Sequence, residues 1–246
     1  GSAAGTDANS GAAVNAAATT SANCAIQTPA SLSGAITTPF TTLSFNQVVS
    51  ITYTVTNSGG ETANNVTPPL TLPYTGSPSL TKSGGPVPMS ANIPGGAQQQ
   101  FVYTYRATMT GASTLQGAAT GTANNSAAPV STGINQSPSI AVVNAAALSA
   151  VISAIPGTLN TGQTVTVTMK VQNTGDVPAI GVTPSTLAIS GGASATRLTG
   201  PSPANATIDA GASQTFTWTY NPASAGILRF TGEASGADMY SSATVV

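Results

Sequence analysis

One phrase is written twice in this chain. "NSGGETANNVTP" begins at Asn57 and "NTGDVPAIGVTP" begins at Asn173, each behind a stretch of alternating apolar and hydroxyl residues. Shifting the sequence by 116 positions brings Leu32, Ser33 and Ile36 onto Leu148, Ser149 and Ile152. The same shift lays Val49, Ile51, Tyr53 and Val55 on Val165, Val167, Met169 and Val171. Further along the shift becomes 115, and Phe101-Val-Tyr-Thr-Tyr105 meets Phe216-Thr-Trp-Thr-Tyr220. A period this long indicates tandem domains, since solenoid units are much shorter.

Within each copy the apolar residues recur at every second position, as in Val49 to Val55 and Phe216 to Tyr220. That is the period of a strand buried on one face. Turn signals such as Ser58-Gly59-Gly60, Thr174-Gly175-Asp176 and Ser83-Gly84-Gly85-Pro86 separate these stretches, and no segment sustains a 3.6-residue period. Short strands at this spacing predict an all-β chain of two tandem immunoglobulin-like antiparallel β-sandwiches. In the repeated phrase, the asparagine is expected to end a strand and the glycines to supply a positive φ. The aromatic strand ending each copy is expected to face the opposite sheet, with Trp218 in the core.

A third, partial copy opens the chain. Gly1-Ser-Ala-Ala-Gly5 matches Gly117-Ala-Ala-Thr-Gly121 and Gly232-Glu-Ala-Ser-Gly236, and Val14 falls with Val130 and Val245. It reads as an orphan strand from a preceding or neighbouring repeat. The expected division is residues 1–22 for that strand and a linker, 23–131 for the first sandwich and 132–246 for the second. Residues 131–142 read as a short, semi-rigid connection. Two readings of the orphan stay open: a window of a longer repeat array, or a strand donor, with Gly1, Gly5 and Val14 marking the donated segment.

Composition excludes several classes of function. Charged residues are 4% of the chain, against about a quarter in an average soluble protein, and the formal net charge is −1. Lys82, Lys170, Arg106, Arg197 and Arg229 are too few and scattered to line a phosphate track, so nucleic acid is not an expected partner. No apolar run is long enough to span a membrane as a helix. With no histidine and one cysteine, Cys24, neither a zinc site nor a disulfide framework is expected. Cys24 aligns with Ile140 and is expected to be a small buried hydrophobe.

No enzyme is expected, and no metal or cofactor. A serine nucleophile would need Lys82 or Lys170 as its base, and Lys170 sits on the polar side of its strand. Glu61, Asp176, Asp209, Glu233 and Asp238 read as solvated or turn-capping carboxylates rather than a catalytic pair. Together with Asp7 they lack the spacing of a calcium site. A lysine–asparagine isopeptide bond is not expected, because the first copy has Thr54 where the second has Lys170.

The repeated "ITYTVTNSGGETANNVT" and "VTMKVQNTGDVPAIGVT", with the later "IPGGAQQQFVYTY" and "IDAGASQTFTWTY", resemble the Ig-like repeats of bacterial cell-surface proteins. They are similar to the cell-adhesion-related domain found in bacteria and to the conserved-repeat family, domain of unknown function eleven. The resemblance spans both copies and implies an extracellular, cell-surface spacer or adhesion module without catalytic residues. Tandem copies, few charges and an unpartnered strand favour a structural repeat of a fibre, sheath or stalk, self-assembling with identical subunits or packed against adjoining repeats. The alternative is an adhesin that binds a glycan or host-surface ligand, for which Tyr74, Tyr240 and Arg197 are the candidate contacts. An accessory domain of an enzyme is a third reading. Asn65, Asn124, Asn135 and Asn205 stand in N-x-[ST] sequons and are candidate glycosylation sites.

Overall fold

Alternation sets the architecture. In the computed structural model, which describes residues 1–246, two strands form a hairpin at the start: β1 (Ala4–Thr6) and β2 (Ala13–Asn15). The first sandwich follows with β3 (Leu32–Thr37), β4 (Thr42–Ser44), β5 (Val48–Asn57), β6 (Ala63–Thr67) and β7 (Tyr74–Gly76). It continues with β8 (Leu80–Val87), β9 (Ala91–Ile93), β10 (Gln98–Ala107), β11 (Gly111–Gly117) and β12 (Thr120–Ala123). Three short strands close it: β13 (Pro129–Ser131), β14 (Asn135–Gln136) and β15 (Ile140–Val143). The second sandwich opens with β16 (Leu148–Ile155), β17 (Val165–Asn173), β18 (Ala179–Pro184), β19 (Ala188–Ser190) and β20 (Ala195–Ser202). It ends with β21 (Ala206–Ile208), β22 (Ser213–Pro222), β23 (Arg229–Thr231), β24 (Ala234–Asp238) and β25 (Thr244–Val245). No helix is long and apolar enough to cross a membrane.

The same sheet recurs in each unit, in the order β3-β5-β10-β8 and then β16-β17-β22-β20. Register sets Phe101 beside Tyr53 and Tyr103 beside Ile51 in the first, and Phe216 beside Met169 and Trp218 beside Val167 in the second. All eight side chains are buried, facing the opposing sheets β13-β12-β6-β9 and β21-β18-β24-β25. The hydroxyl-bearing residues between them point outward, as the period of two requires.

The repeated asparagine is the pin of each sandwich. Asn57 Nδ2 donates to the carbonyls of Glu61 (2.8 Å) and Ile93 (3.0 Å), while its Oδ1 accepts from the amides of Ser31 and Gly59, both at 3.1 Å. Asn173 repeats this bond for bond, donating to Val177 (2.8 Å) and Ile208 (3.0 Å) and accepting from Ala147 (3.2 Å) and Gly175 (3.1 Å). Both side chains are fully buried, so each amide joins three chain segments with its hydrogen-bonding capacity used. Gly181 in the second phrase has the positive φ expected (+61°), but the turn glycines Gly59 and Gly175 serve a different purpose. Neither Gly59 nor Gly175 has a positive φ; a Cβ there would run into the carbonyl oxygen of Pro29 or Ala145. Close backbone approach, not left-handed geometry, requires glycine.

Three further expectations change. The orphan strand is a hairpin, with Gly5 opposite Val14, and it matches β12–β13 (Gly121 opposite Val130) and β24–β25 (Gly236 opposite Val245). The boundary expected between residues 131 and 132 moves, because β14 and β15 pair with β11, and β15 also runs parallel to β4. Residues 135–143 therefore belong to the first sandwich, and only Asn144 to Ala147 connect it to β16. Cys24 is exposed rather than buried. Its counterpart Ile140 is buried on β15, which pairs with β11 and β4, whereas Cys24 lies in no strand.

Candidate functional site

The site that the two sandwiches build together centres on Asp238, at the end of β24. Its carboxylate is fully buried at the junction. Oδ1 accepts from the amides of Tyr240 (3.0 Å) and Ser241 (2.8 Å) and the Ser241 hydroxyl (2.9 Å), fixing its own turn. The same oxygen accepts from the hydroxyl of Ser44 in the first sandwich at 2.7 Å, and Oδ2 accepts from the connector amide of Ala146 at 2.8 Å. Gln47 of the first sandwich adds a bond from Nε2 to the carbonyl of Tyr240 at 3.2 Å. One carboxylate thus ties together two sandwiches and the connector.

Burial alone would raise the Asp238 pKa. The amides of Ser241 and Ala146 and the hydroxyls of Ser44 and Ser241 outweigh it and hold the carboxyl below the ordinary range. A lowered folded-state pKa contributes stability that is fully present above the unfolded value and lost as pH falls through the folded one. The wild type should therefore melt higher than Asp238→Asn by a constant margin from neutral pH down to about pH 5. That margin should shrink as the pH drops below about 4, which parallel thermal melts would measure. A margin independent of pH would remove the carboxylate from the junction.

Asp7 builds the same turn in the N-terminal hairpin, accepting from the amides of Asn9 (2.9 Å) and Ser10 (2.7 Å) and the Ser10 hydroxyl (2.8 Å). These bonds, led by the Ser10 amide, keep its carboxyl low as well. In the first sandwich the corresponding position is Ala123, and Glu61 takes over: its Oε1 accepts from Ala30 N (3.3 Å) and its Oε2 from Asn125 N (3.0 Å).

The second feature is a groove of about 720 Å³ in the second sandwich, bounded by Gly157 to Asn160 on one side and Gly226 to Phe230 on the other. These segments correspond to β4 and β11 of the first sandwich, where β15 lies between them and hydrogen-bonds to both. With β15 in place, Leu43 and Leu115 are fully buried; their counterparts Leu159 and Phe230 are only half-buried. The first core accordingly gathers 22 buried residues and the second 13.

Most candidate residues stay apart. Lys170 is exposed on β17, as its alternation predicts, and Lys82 Nζ donates to the carbonyl of Leu70 at 2.5 Å. Tyr74 lies on β7, Arg197 on β20 rather than in a loop, and Tyr240 at the junction, so the three form no shared surface. Asn65, Asn124 and Asn205 are exposed; Asn135 is half-buried, its Oδ1 accepting from the Tyr53 hydroxyl at 2.8 Å. Gly1, Gly5 and Val14 lie on the free hairpin. Sequence reading missed the linking role of Asp238; the shared Asp-x-x-Ser turn of Asp7 and Asp238 was the signal available.

No protein-family model and no curated protein matches the chain. Among solved structures, the adhesin InvE of Yersinia pseudotuberculosis is similar at 14% identity and TM-score 0.28, over 83% of this chain and 60% of that one. The type II cohesin dyad from the adaptor ScaA scaffoldin of Acetivibrio cellulolyticus is similar at 9% identity and TM-score 0.24, over 87% and 96%. The secreted serine protease VesC of Vibrio cholerae is similar at 12% identity and TM-score 0.27, over 78% of this chain and 49% of that one. The chain therefore spans about half the length of VesC and 60% of InvE.

Proposed function

We propose that this chain is a structural repeat of an extracellular or cell-surface fibre, sheath or stalk, acting by packing and not by catalysis. The observation that carries this reading is the Asp238 junction, where a buried carboxylate uses its acceptors on its own turn, on the connector and on the neighbouring sandwich. A junction of that kind holds successive units in a set relation. The rest of the surface supports the same reading. With charged residues at 4% and a net charge of −1, little repulsion opposes close packing of copies. The Asp7 turn repeats the Asp238 geometry, so the chain carries the terminal hairpin of this unit three times. Tyr74, Tyr240 and Arg197 lie on separate elements, which gives the adhesin alternative no gathered contact surface.

Electron microscopy of the native material is the test. Fibres or sheets with a repeat of one or two sandwich lengths are the expected outcome. Isolated particles would overturn the reading.

A further inference from the structure

We infer that Asn205, alone among the four sequon asparagines, is built as the acceptor of an asparagine-linked glycan. This goes beyond the structural reading above, which neither requires nor forbids a glycan.

The other three sequons have a reason within the fold for the residues they carry. Asn65 adopts a positive φ of 50°, and its counterpart in the second sandwich is Gly181 at 61°. Asparagine is among the few side chains that tolerate this left-handed geometry. Its sequon hydroxyl is engaged as well, Thr67 Oγ1 donating to the Asn65 carbonyl at 3.0 Å. Thr183 makes the same bond to Gly181 at 3.1 Å with no asparagine present. Asn124 lies in the turn between β12 and β13, its Oδ1 accepting from Asn64 Nδ2 at 2.8 Å and its Nδ2 donating to Asn125 Oδ1 at 3.1 Å. Asn135 is held by the Tyr53 hydroxyl. Its sequon partner Ser137 is buried, accepting from Leu115 N at 3.0 Å and donating to the carbonyl of Pro138 at 2.7 Å.

Asn205-Ala-Thr207 has no such reason. Both Asn205 and Thr207 are exposed, and neither side chain has a hydrogen-bond partner. Asn205 is not among the residues with a positive φ. Ala206 and Ile208 face inward, paired with Val182 and Ala179 of β18, so Asn205 and Thr207 project outward together. In the first sandwich the corresponding residues are Ser90 and Asn92, and Asn92 Oδ1 accepts from the amide of Asn65 at 2.8 Å, pinning the bulge in β6. Thr207 makes no equivalent bond. At one place in the repeat, the second sandwich lacks a stabilising bond and presents an open sequon instead.

The position suits modification of a folded chain. β21 has three residues and is the outer strand of β21-β18-β24-β25, with two pairings to β18 and a register shift between them. So few ladder bonds let the segment lift locally to meet a transferase. The donor is a sugar activated as a diphosphate ester. Asn205 Nδ2 displaces the phosphate leaving group from the anomeric carbon: the C–O bond to phosphate breaks, the N-glycosidic bond forms, and the amide gives up one proton. A glycan there covers an open sheet edge on a surface with little charge to oppose edge-to-edge pairing.

The test is mass mapping of the full chain from native material. Cleavage after Lys and Arg places Asn65 in residues 1–82, Asn124 and Asn135 in 107–170, and Asn205 in 198–229. A sugar increment confined to 198–229 is expected, lost from Asn205→Gln and from Thr207→Ala alike. Thr207→Ala keeps the acceptor nitrogen, so its loss of the increment reports recognition of the sequon. A single sugar would mark a nucleotide-linked donor, and a preassembled oligosaccharide a lipid-linked one. Protein made in cells without a transferase should melt at the same temperature with and without Asn205→Gln. A lowered midpoint there would give Asn205 a structural reason of its own and overturn the assignment. So would an increment on 1–82 or 107–170 instead, or one that survives Asn205→Gln. Native fibres with an unmodified 198–229 would overturn the glycan site and leave the structural reading standing.

Discussion

Asn173→Asp is expected to unfold the second sandwich selectively, lowering its stability by about 3–5 kcal/mol. The substitution barely changes volume, so packing is not the cause. It turns the donating end of the amide into an acceptor facing the carbonyls of Val177 and Ile208, and it buries a charge without a partner. A domain holds only about 5–15 kcal/mol of net stability, so this unit would lie close to its midpoint at room temperature. Trp218 is the sole tryptophan and lies in the second core, so its fluorescence reports that unit. Asn57→Asp should destabilise the first sandwich by a similar amount while the tryptophan signal holds its wild-type midpoint. If both substitutions left the calorimetric transitions within about 1 kcal/mol of wild type, the asparagines would not be the pins described.

Trp218→Ala is expected to cost about 3–5 kcal/mol, through lost burial and the cavity left between the sheets. The side chain is fully buried, with Val167 beside it in the register. Its indole N–H finds no partner in that setting, whereas Tyr103 at the same place in the first sandwich sends its hydroxyl to the carbonyl of Pro69 at 2.6 Å. Trp218→Phe removes the unpartnered donor with much less volume and should therefore cost well under half as much as Trp218→Ala. Denaturant melts followed by circular dichroism measure both. Equal losses for the two would place the energetic weight on the indole nitrogen instead of the ring.

Periodicity was enough to read the two cores. Val49 to Val55 and Phe216 to Tyr220 alternate in the sequence and alternate in burial, because one-sided burial writes itself into every second residue. What alternation does not encode is which sheet a strand joins. Ile140-Ala-Val-Val143 looks like the opening of the second unit, yet it is hydrogen-bonded inside the first. Cys24 fails for the same reason: the repeat register transfers an inward direction, but burial also needs a neighbour. The glycines of the repeated phrase were legible as a turn, while their purpose depended on a carbonyl 30 residues away in sequence, at Pro29 for Gly59. The linking role of Asp238 arises from units meeting one another, and a residue pattern within one unit does not describe that meeting.

The parallel pairing of β15 with β4 has a mechanical consequence. Tension on the second sandwich reaches the first through Asn144 to Ala147 and draws on Val143 along the strand's own axis. Strands loaded lengthwise slide in shear, so the bonds from Ala141 and Phe45 that flank β15 must rupture together and cannot peel one after another. A coupling of this kind would resist stretching far better than a flexible tether of equal length.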